Sequence, residues 1–334
     1  MNSPTNRTGV DVPYLAMSAD RIGDPPPGFR LPAGTRVGAV AIQVANLDRS
    51  LEFYQRVIGY RTLGRRDGAT GPVALLGNQS NDRVLFELHE KRGVRAVVHR
   101  SRLGLYHSAV LLPSRADLGR FITHARGLGV HVGSSDHVVS ESTYLVDPDG
   151  LTVEVYRDRP QSEWIVNENG EIVTGMLPLD AEAVQRDGGN TQWAGLPGGT
   201  TIGHVHFYVG DLAVASTFYV DGLGFDRVIW TLPGALFVSA GGYHHHVGLN
   251  VWAAGSPVAT DDDAHLLRWD LVVPDSAAVG AVAESLASQG IKPLQQKAGI
   301  AATDAWGLTV RVLAGDNGDF PAGRDSPYPG GHRA

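Results

Sequence analysis

The sequence predicts an α+β protein assembled from four copies of one strand-helix-strand-strand-strand (βαβββ) module, and three observations carry that prediction. First, residues 37–60 (VGAVAIQVANLDRSLEFYQRVIGY) and 202–225 (IGHVHFYVGDLAVASTFYVDGLGF) match in pattern from end to end. Second, residues 105–130 and 266–291 repeat the same order of strand, turn, helix and glycine. Third, the endings DPDGLTVEVY (147–156) and DAWGLTVRVL (304–313) are alike, each a glycine turn feeding a last strand. Self-similarity at a fixed spacing is the signature of a repeated structural unit.

Each element has a local reason. In the first and third modules an alternating apolar strand turns at Asn46-Leu47 or Asp211-Leu212 into an amphipathic helix carrying Phe53-Tyr54 or Phe218-Tyr219. Asn and Asp suit such a start because their side chains accept the free N–H groups of the first turn. The helix stops at Gly59 or Gly224, which can take the left-handed conformation that follows a helix. In the second module, strands are expected around residues 142–146 and 151–156. The chain divides by order into an N-terminal extension (1–34), a first domain of modules one and two (35–159), a linker (160–199), a second domain of modules three and four (200–315) and a disordered tail (316–334).

Composition narrows the function classes. A length of 334 residues suits two domains of ordinary size. A net charge of -7 and a pI near 6.0 provide no basic footprint for nucleic acid or an anionic membrane, so a small molecule is the expected partner. The chain has no cysteine, hence no disulfide, thiolate nucleophile or iron–sulfur cluster. The polar, proline-rich first 32 residues carry no apolar signal region, and a cytoplasmic protein is expected.

A four-module chain of this kind resembles the vicinal oxygen chelate superfamily, which includes glyoxalase I, fosfomycin and bleomycin resistance proteins and extradiol dioxygenases. The likeness runs from about residue 36 to 313 and is strongest to catechol 2,3-dioxygenase-like members, through residues 136–156 and GGYHHHVGLNVW (241–252). It implies that two modules curl into a half-open barrel around one metal. It also implies a ligand histidine on the first strand of a module, seven residues before the turn, which His107 and His204 meet relative to Ser114 and Asp211. The ligand glutamate of the last strand is met by Glu154. A lone histidine on a strand is more often a hydrogen-bonded core residue than a ligand; repeat position is what singles these out. By the same resemblance Tyr144, ten residues before Glu154, would bond the substrate, with His137 as a further candidate seven residues from Tyr144. An acid–base histidine would be His245, by the motif His-x-apolar-small, with His246 as alternate because it shares strand parity with Asn250, which aligns with Glu154.

The pattern breaks in two modules. Ala39 and Glu87 occupy the ligand positions of the first, Arg268 and Arg311 those of the fourth. Arginine cannot bind a metal because its guanidinium stays protonated. Bringing His107, Glu154 and His204 to one ion therefore requires modules two and three to share a barrel, the pairing adopted here. The rival is a barrel of modules one and two with Glu87, His107 and Glu154 as ligands. Two imidazoles and one carboxylate leave open positions and suit Fe(II), or Mn(II), better than structural zinc. The resemblance then implies an extradiol dioxygenase of aromatic catabolism that cleaves catechol or a substituted catechol with O2. The alternatives are a glyoxalase-type lyase or isomerase, or a non-catalytic binding or resistance protein. Homo-oligomers are common in the superfamily and are expected to be possible here.

Overall fold

The computed structural model describes residues 21–315. The tail expected over 316–334 and the start of the N-terminal extension lie outside the described residues. All four modules have the expected order. The first comprises β1 (Arg36–Val44), α1 (Leu47–Glu52), β2 (Arg61–Asp67), β3 (Pro72–Gly77) and β4 (Phe86–Glu90), and the second β5 (Gly104–Leu111), α2 (Arg115–Gly127), β6 (Gly133–Asp136), β7 (Ser140–Val146) and β8 (Thr152–Asp158). After α3 (Ala181–Gly188) come β9 (Thr201–Tyr208), α4 (Leu212–Ser216), β10 (Asp226–Ile229), β11 (Ala235–Ser239) and β12 (Val247–Asn250) of the third. The fourth is β13 (His265–Val273), α5 (Ser276–Ser288), β14 (Leu294–Gln296), β15 (Gly299–Thr303) and β16 (Thr309–Ala314). Asn46 and Asp211 accept first-turn N–H groups as expected, and Ser114 and Asp275 do the same for the helices of the second and fourth modules.

The strands form two curled eight-stranded sheets, and each draws one module from each half of the chain. One has the order β10-β11-β12-β9-β5-β8-β7-β6, the other β14-β15-β16-β13-β1-β4-β3-β2. Grouping modules one and two over 35–159, and three and four over 200–315, therefore does not describe the sheets. The seams are antiparallel pairs of first strands, β5 with β9 and β1 with β13. Each seam pairs backbone that a module on its own would leave at a sheet edge.

Consecutive modules meet instead through their helices. In modules one and three the helix runs on into a π-helical turn, Phe53–Ile58 or Thr217–Gly222. That turn aims a buried tyrosine at the next module: the Tyr54 hydroxyl bonds Asp147 at 3.1 Å and the Tyr219 hydroxyl bonds Asp304 at 3.0 Å. The repeated Phe-Tyr and the repeated Asp-x-x-Gly are the two ends of one contact.

The stretch 160–199 is not a plain linker. Asp180 caps α3, which packs so closely on α2 that a Cβ on Gly119 would lie 2.1 Å from the Val184 carbonyl. The described part of the extension is also built in. Arg30 forms a two-pronged pair with Asp226 at 2.7 and 2.8 Å, and Ile22 and Leu31 are buried. Among the described residues no helix is long and apolar enough to cross a membrane.

Strand alternation divides β9 cleanly. Val205 and Phe207 enter the main core, while His204 and His206 face the barrel interior.

Candidate metal centre

His107 on β5, Glu154 on β8 and His204 on β9 converge on one point. The Nε2 atoms of both histidines lie 3.0 Å from the same carboxylate oxygen, Oε2 of Glu154, and 3.3 Å from each other. The register explains it: Ala109 pairs with Glu154 on one side and with His204 on the other, and His107 points inward two residues before it. All three side chains are buried. Two metal bonds of about 2.1 Å at a right angle put their ligand atoms about 3.0 Å apart, so the three atoms have the spacing of one octahedral face. Three positions on the opposite side would stay open.

The electrostatics suit the same task. Burial alone would raise the carboxyl of Glu154, but His204 and His107 outweigh it and hold the group well below the usual carboxylate range. Burial lowers His204 to about 4, against the pull of Glu154. A neutral imidazole and an ionised carboxylate are the forms that bind a cation, since ligand atoms must be deprotonated. The buried Nδ1 atoms of His107 and His204 have no hydrogen-bond partner among the described residues.

A family model of the Glyoxalase/Bleomycin resistance protein/Dioxygenase superfamily matches residues 36–155 and 201–305, well over half of the chain. The chain belongs to this superfamily. A relative, the catechol-2,3-dioxygenase of Bacillus subtilis (strain 168), is 39% identical over 259 residues, covering 77% of this chain and 89% of the relative. Among solved structures, a putative dioxygenase from Bacillus subtilis subsp. subtilis str. 168 is similar with a TM-score of 0.59 at 10% identity over 86% of each chain. Glyoxalase I from Zea mays is similar with a TM-score of 0.52 at 18% identity, over 86% of this chain and 94% of its own. At these identities the structures attest the fold.

The remaining singled-out residues of this superfamily member fall into two groups around the centre. On the module-two side, the Tyr144 hydroxyl lies 2.7 Å from His137 Nε2, while His137 Nδ1 lies 2.8 Å from the Gly175 carbonyl. Nδ1–H must donate to that carbonyl, so Nε2 accepts from the tyrosine. The Tyr144 ring sits 5.7 Å from that of His107, and burial, reinforced by Glu154, keeps its hydroxyl protonated far above the ordinary range.

On the module-three side His245 retains some exposure, and its ring lies 4.0 Å from that of His204. It is followed inward by a chain that sequence reasoning missed. His245 Nδ1 is 2.9 Å from His244 Nδ1, His244 Nε2 is 2.7 Å from Asp158, and Asp158 also accepts from the Tyr243 hydroxyl at 3.0 Å. His244 Nε2–H donates to the Asp158 carboxylate, so in the neutral ring His244 Nδ1 is an acceptor and His245 Nδ1 a donor. That leaves Nε2 of His245 with a free lone pair. His246 differs: its Nδ1 accepts from the Ala240 N–H at 3.2 Å and meets Ser239 Oγ at 2.9 Å, and burial lowers it to about 3. It ties the strand entry together.

His206 was also missed. Its ring lies 4.9 Å from that of His107, its Nε2 is 2.9 Å from Asn250 Nδ2, and burial holds it neutral. The signal was present, because His206 follows His204 by two residues on one strand and must share its face. The register also corrects an alignment. Gly248, not Asn250, pairs with His206 and so occupies the place of Glu154 in the third module. A Cβ there would lie 2.7 Å from the His206 ring. Glu87, the ligand of the rival pairing, stands in the other sheet against Arg268.

Proposed function

We propose that the protein is an extradiol ring-cleaving dioxygenase acting on catechol or a substituted catechol with O2. The observation that carries this reading is the three-atom convergence of His107, Glu154 and His204, with His245 on one flank and Tyr144 on the other. The 39% identity to a relative named catechol-2,3-dioxygenase supports it. His107, Glu154 and His204 would hold Fe(II), or Mn(II), which when bound supplies a site for both the diol and O2 and lowers the diol's pKa.

The chain's own residues complete the site. His245, with its lone pair on Nε2, is placed to take a proton from one substrate hydroxyl and later return it. The His244–Asp158 pair holds that ring in the accepting tautomer, much as a carboxylate orients the histidine of other acid–base systems. Tyr144, kept protonated, donates its O–H to His137 in this arrangement and would turn it to bound oxygen by giving up that bond. His206, Tyr106, Phe237 and Trp252 form an aromatic wall, with ring centroids of His206 5.1, 5.3 and 5.9 Å from the other three, and such a wall suits a planar ring.

The test is anaerobic loading with Fe(II) followed by O2 uptake and visible absorbance on adding catechol, 3-methylcatechol and 4-methylcatechol. Stoichiometric O2 consumption with a yellow ring-fission product is expected. A protein holding one metal per chain that consumes no O2 with any of them belongs with the O2-independent lyases and isomerases.

A further inference from the structure

Beyond the candidate ligands, the wall of the same barrel continues to a rim that is rich in donors. Along β9 the face that carries His204 and His206 ends in Tyr208, about 13 Å beyond His204 at ~3.3 Å per residue. On β5, Leu105 pairs with Phe207 and His107 with His206, so Tyr106 is the extra residue of a bulge. Its ring joins the same face, 4.6 Å from that of His107 and stacked on Tyr208 at 4.7 Å. The Tyr106 hydroxyl has no hydrogen-bond partner among the described residues. Burial and Glu154 push it up while Arg100 pulls it down, which sets it between the centre and that guanidinium.

Arg100 belongs to the segment that joins the first two modules across the rim. Its φ is 61°, and among the described residues only Val138 is a second non-glycine with a left-handed backbone. A residue with a Cβ keeps that conformation where its surroundings impose it. Here the Arg100 carbonyl accepts from Ser256 Oγ at 2.8 Å and the Leu103 N–H donates to the Pro257 carbonyl at 2.9 Å, tying the segment to the one that joins the last two modules. The guanidinium donates to the Tyr208 hydroxyl and is paired with no carboxylate among the described residues. Most of its five N–H donors are left unspent. A cavity of about 30 Å³ lies between Arg100, His99, Tyr106, Tyr208 and Thr152, with no Asp or Glu in its wall. Arg102, the other guanidinium of that wall, is engaged by Asp263. At ~10–15 Å³ for each water-sized atom the space takes about two, the number of oxygens in a carboxylate.

We propose that Arg100 is a specificity-determining residue that reads a carboxylate, and that the substrate is a catechol carrying a short acidic side chain. This rests on the reading of His107, Glu154 and His204 as a catechol site. A bare catechol held there is too short to reach Arg100. An acid chain on the far edge of the ring bridges the remainder and brings two oxygens to a planar fork that matches them. The Tyr106 O–H supplies a further donor beside it. The exposed guanidinium also draws an anion towards the mouth, an effect that salt screens.

The test is calorimetric titration, without O2, of the metal-loaded full chain with catechol, with 3-(3,4-dihydroxyphenyl)propanoate and with the methyl ester of that acid. The acid should bind at least tenfold more tightly than its ester at low salt, with the advantage shrinking as salt is added. Arg100→Gln should weaken the acid at least tenfold, down to the ester, while catechol and the ester change less than twofold. Arg100→Lys, which keeps the charge and loses the fork, should retain part of the preference. Equal binding of acid and ester, or an Arg100→Gln that weakens all three ligands alike, would overturn the assignment and leave the catechol reading standing. A protein that binds none of the three would overturn both. Tight, Arg100-dependent binding of the acid with no O2 uptake in air would keep the carboxylate site and remove ring cleavage.

Discussion

Glu154 is the residue on which the centre turns, because one of its oxygens meets both imidazoles at 3.0 Å. Glu154→Ala and His204→Ala should each lower metal affinity by more than about 100-fold, since loss of even an outer partner of a ligand costs 10–100-fold. Metal content after dialysis checks this; a variant that keeps one ion per chain would show that the ion sits elsewhere. His245 predicts a different outcome. His245→Ala should retain the metal and lose about 10²–10⁴ in kcat, the usual worth of a general base, whereas His246→Ala should mainly lose stability, by about 1–3 kcal/mol, because it strands the Ala240 N–H. Retained turnover in His245→Ala would move the acid–base role off this residue. His107, Glu154 and His204 were legible because repeat position marks them. His206, Asp158 and the different roles of His245 and His246 were harder to read, since the histidine triple lies in the turn before β12, where strand parity assigns no face.

At the scale of elements, the tyrosine-to-aspartate contacts between successive modules have a cost that depends on pH. Burial raises Asp147 to about 7 and Asp304 to about 6, even though backbone N–H groups and the tyrosine hydroxyls pull the other way; Asp149 adds to the rise at Asp147. An unfolded aspartate titrates near 3.9. Between about pH 4 and 7 the folded chain therefore binds more protons than the unfolded one, and stability falls as pH rises through that window. In Asp147→Asn the amide oxygen can still accept from the Asp149 and Leu151 N–H groups, now without a charge to desolvate. Its melting temperature should gain on that of the parent from about pH 4 to 7 and hold that gain above pH 7, and parallel pH profiles would count against a raised Asp147. These motifs were visible as repeats, but their partnership was not, because Tyr54 and Asp147 are 93 residues apart. The helix α3 was legible and passed over: Asp180 precedes an amphipathic turn that ends in Gly188-Gly189, the ordinary marks of a short capped helix.

For the whole molecule, the module count and order could be read from the sequence, while the pairing required an argument from chemistry, since periodicity is the same whichever modules share a sheet. Only the arginines at positions 268 and 311 and the lone histidine at 204 pointed to the crossed arrangement. That arrangement makes the two halves of the chain interdependent: each sheet is closed by a seam of first strands from opposite halves, and the candidate metal ligands are divided between them, His107 and Glu154 before the linker and His204 after it. Residues 189–192 are exposed, so the chain can be divided after Asn190 while leaving α3 seated on α2. The fragment 1–190 would then expose β1 and β5, and the fragment 191–334 would expose β9 and β13, as unpaired central strands. Neither fragment should be a cooperatively folded monomer, because bare strand edges of this kind seek partners; co-expressed, they should form a 1:1 complex that binds one metal. Self-association of either fragment alone fits the same logic, since the seam joins equivalent strands. A monomeric fragment 1–190 with a sharp unfolding transition and its own metal site would instead mean that modules one and two can make a barrel by themselves, with Glu87 released from Arg268 as the third ligand.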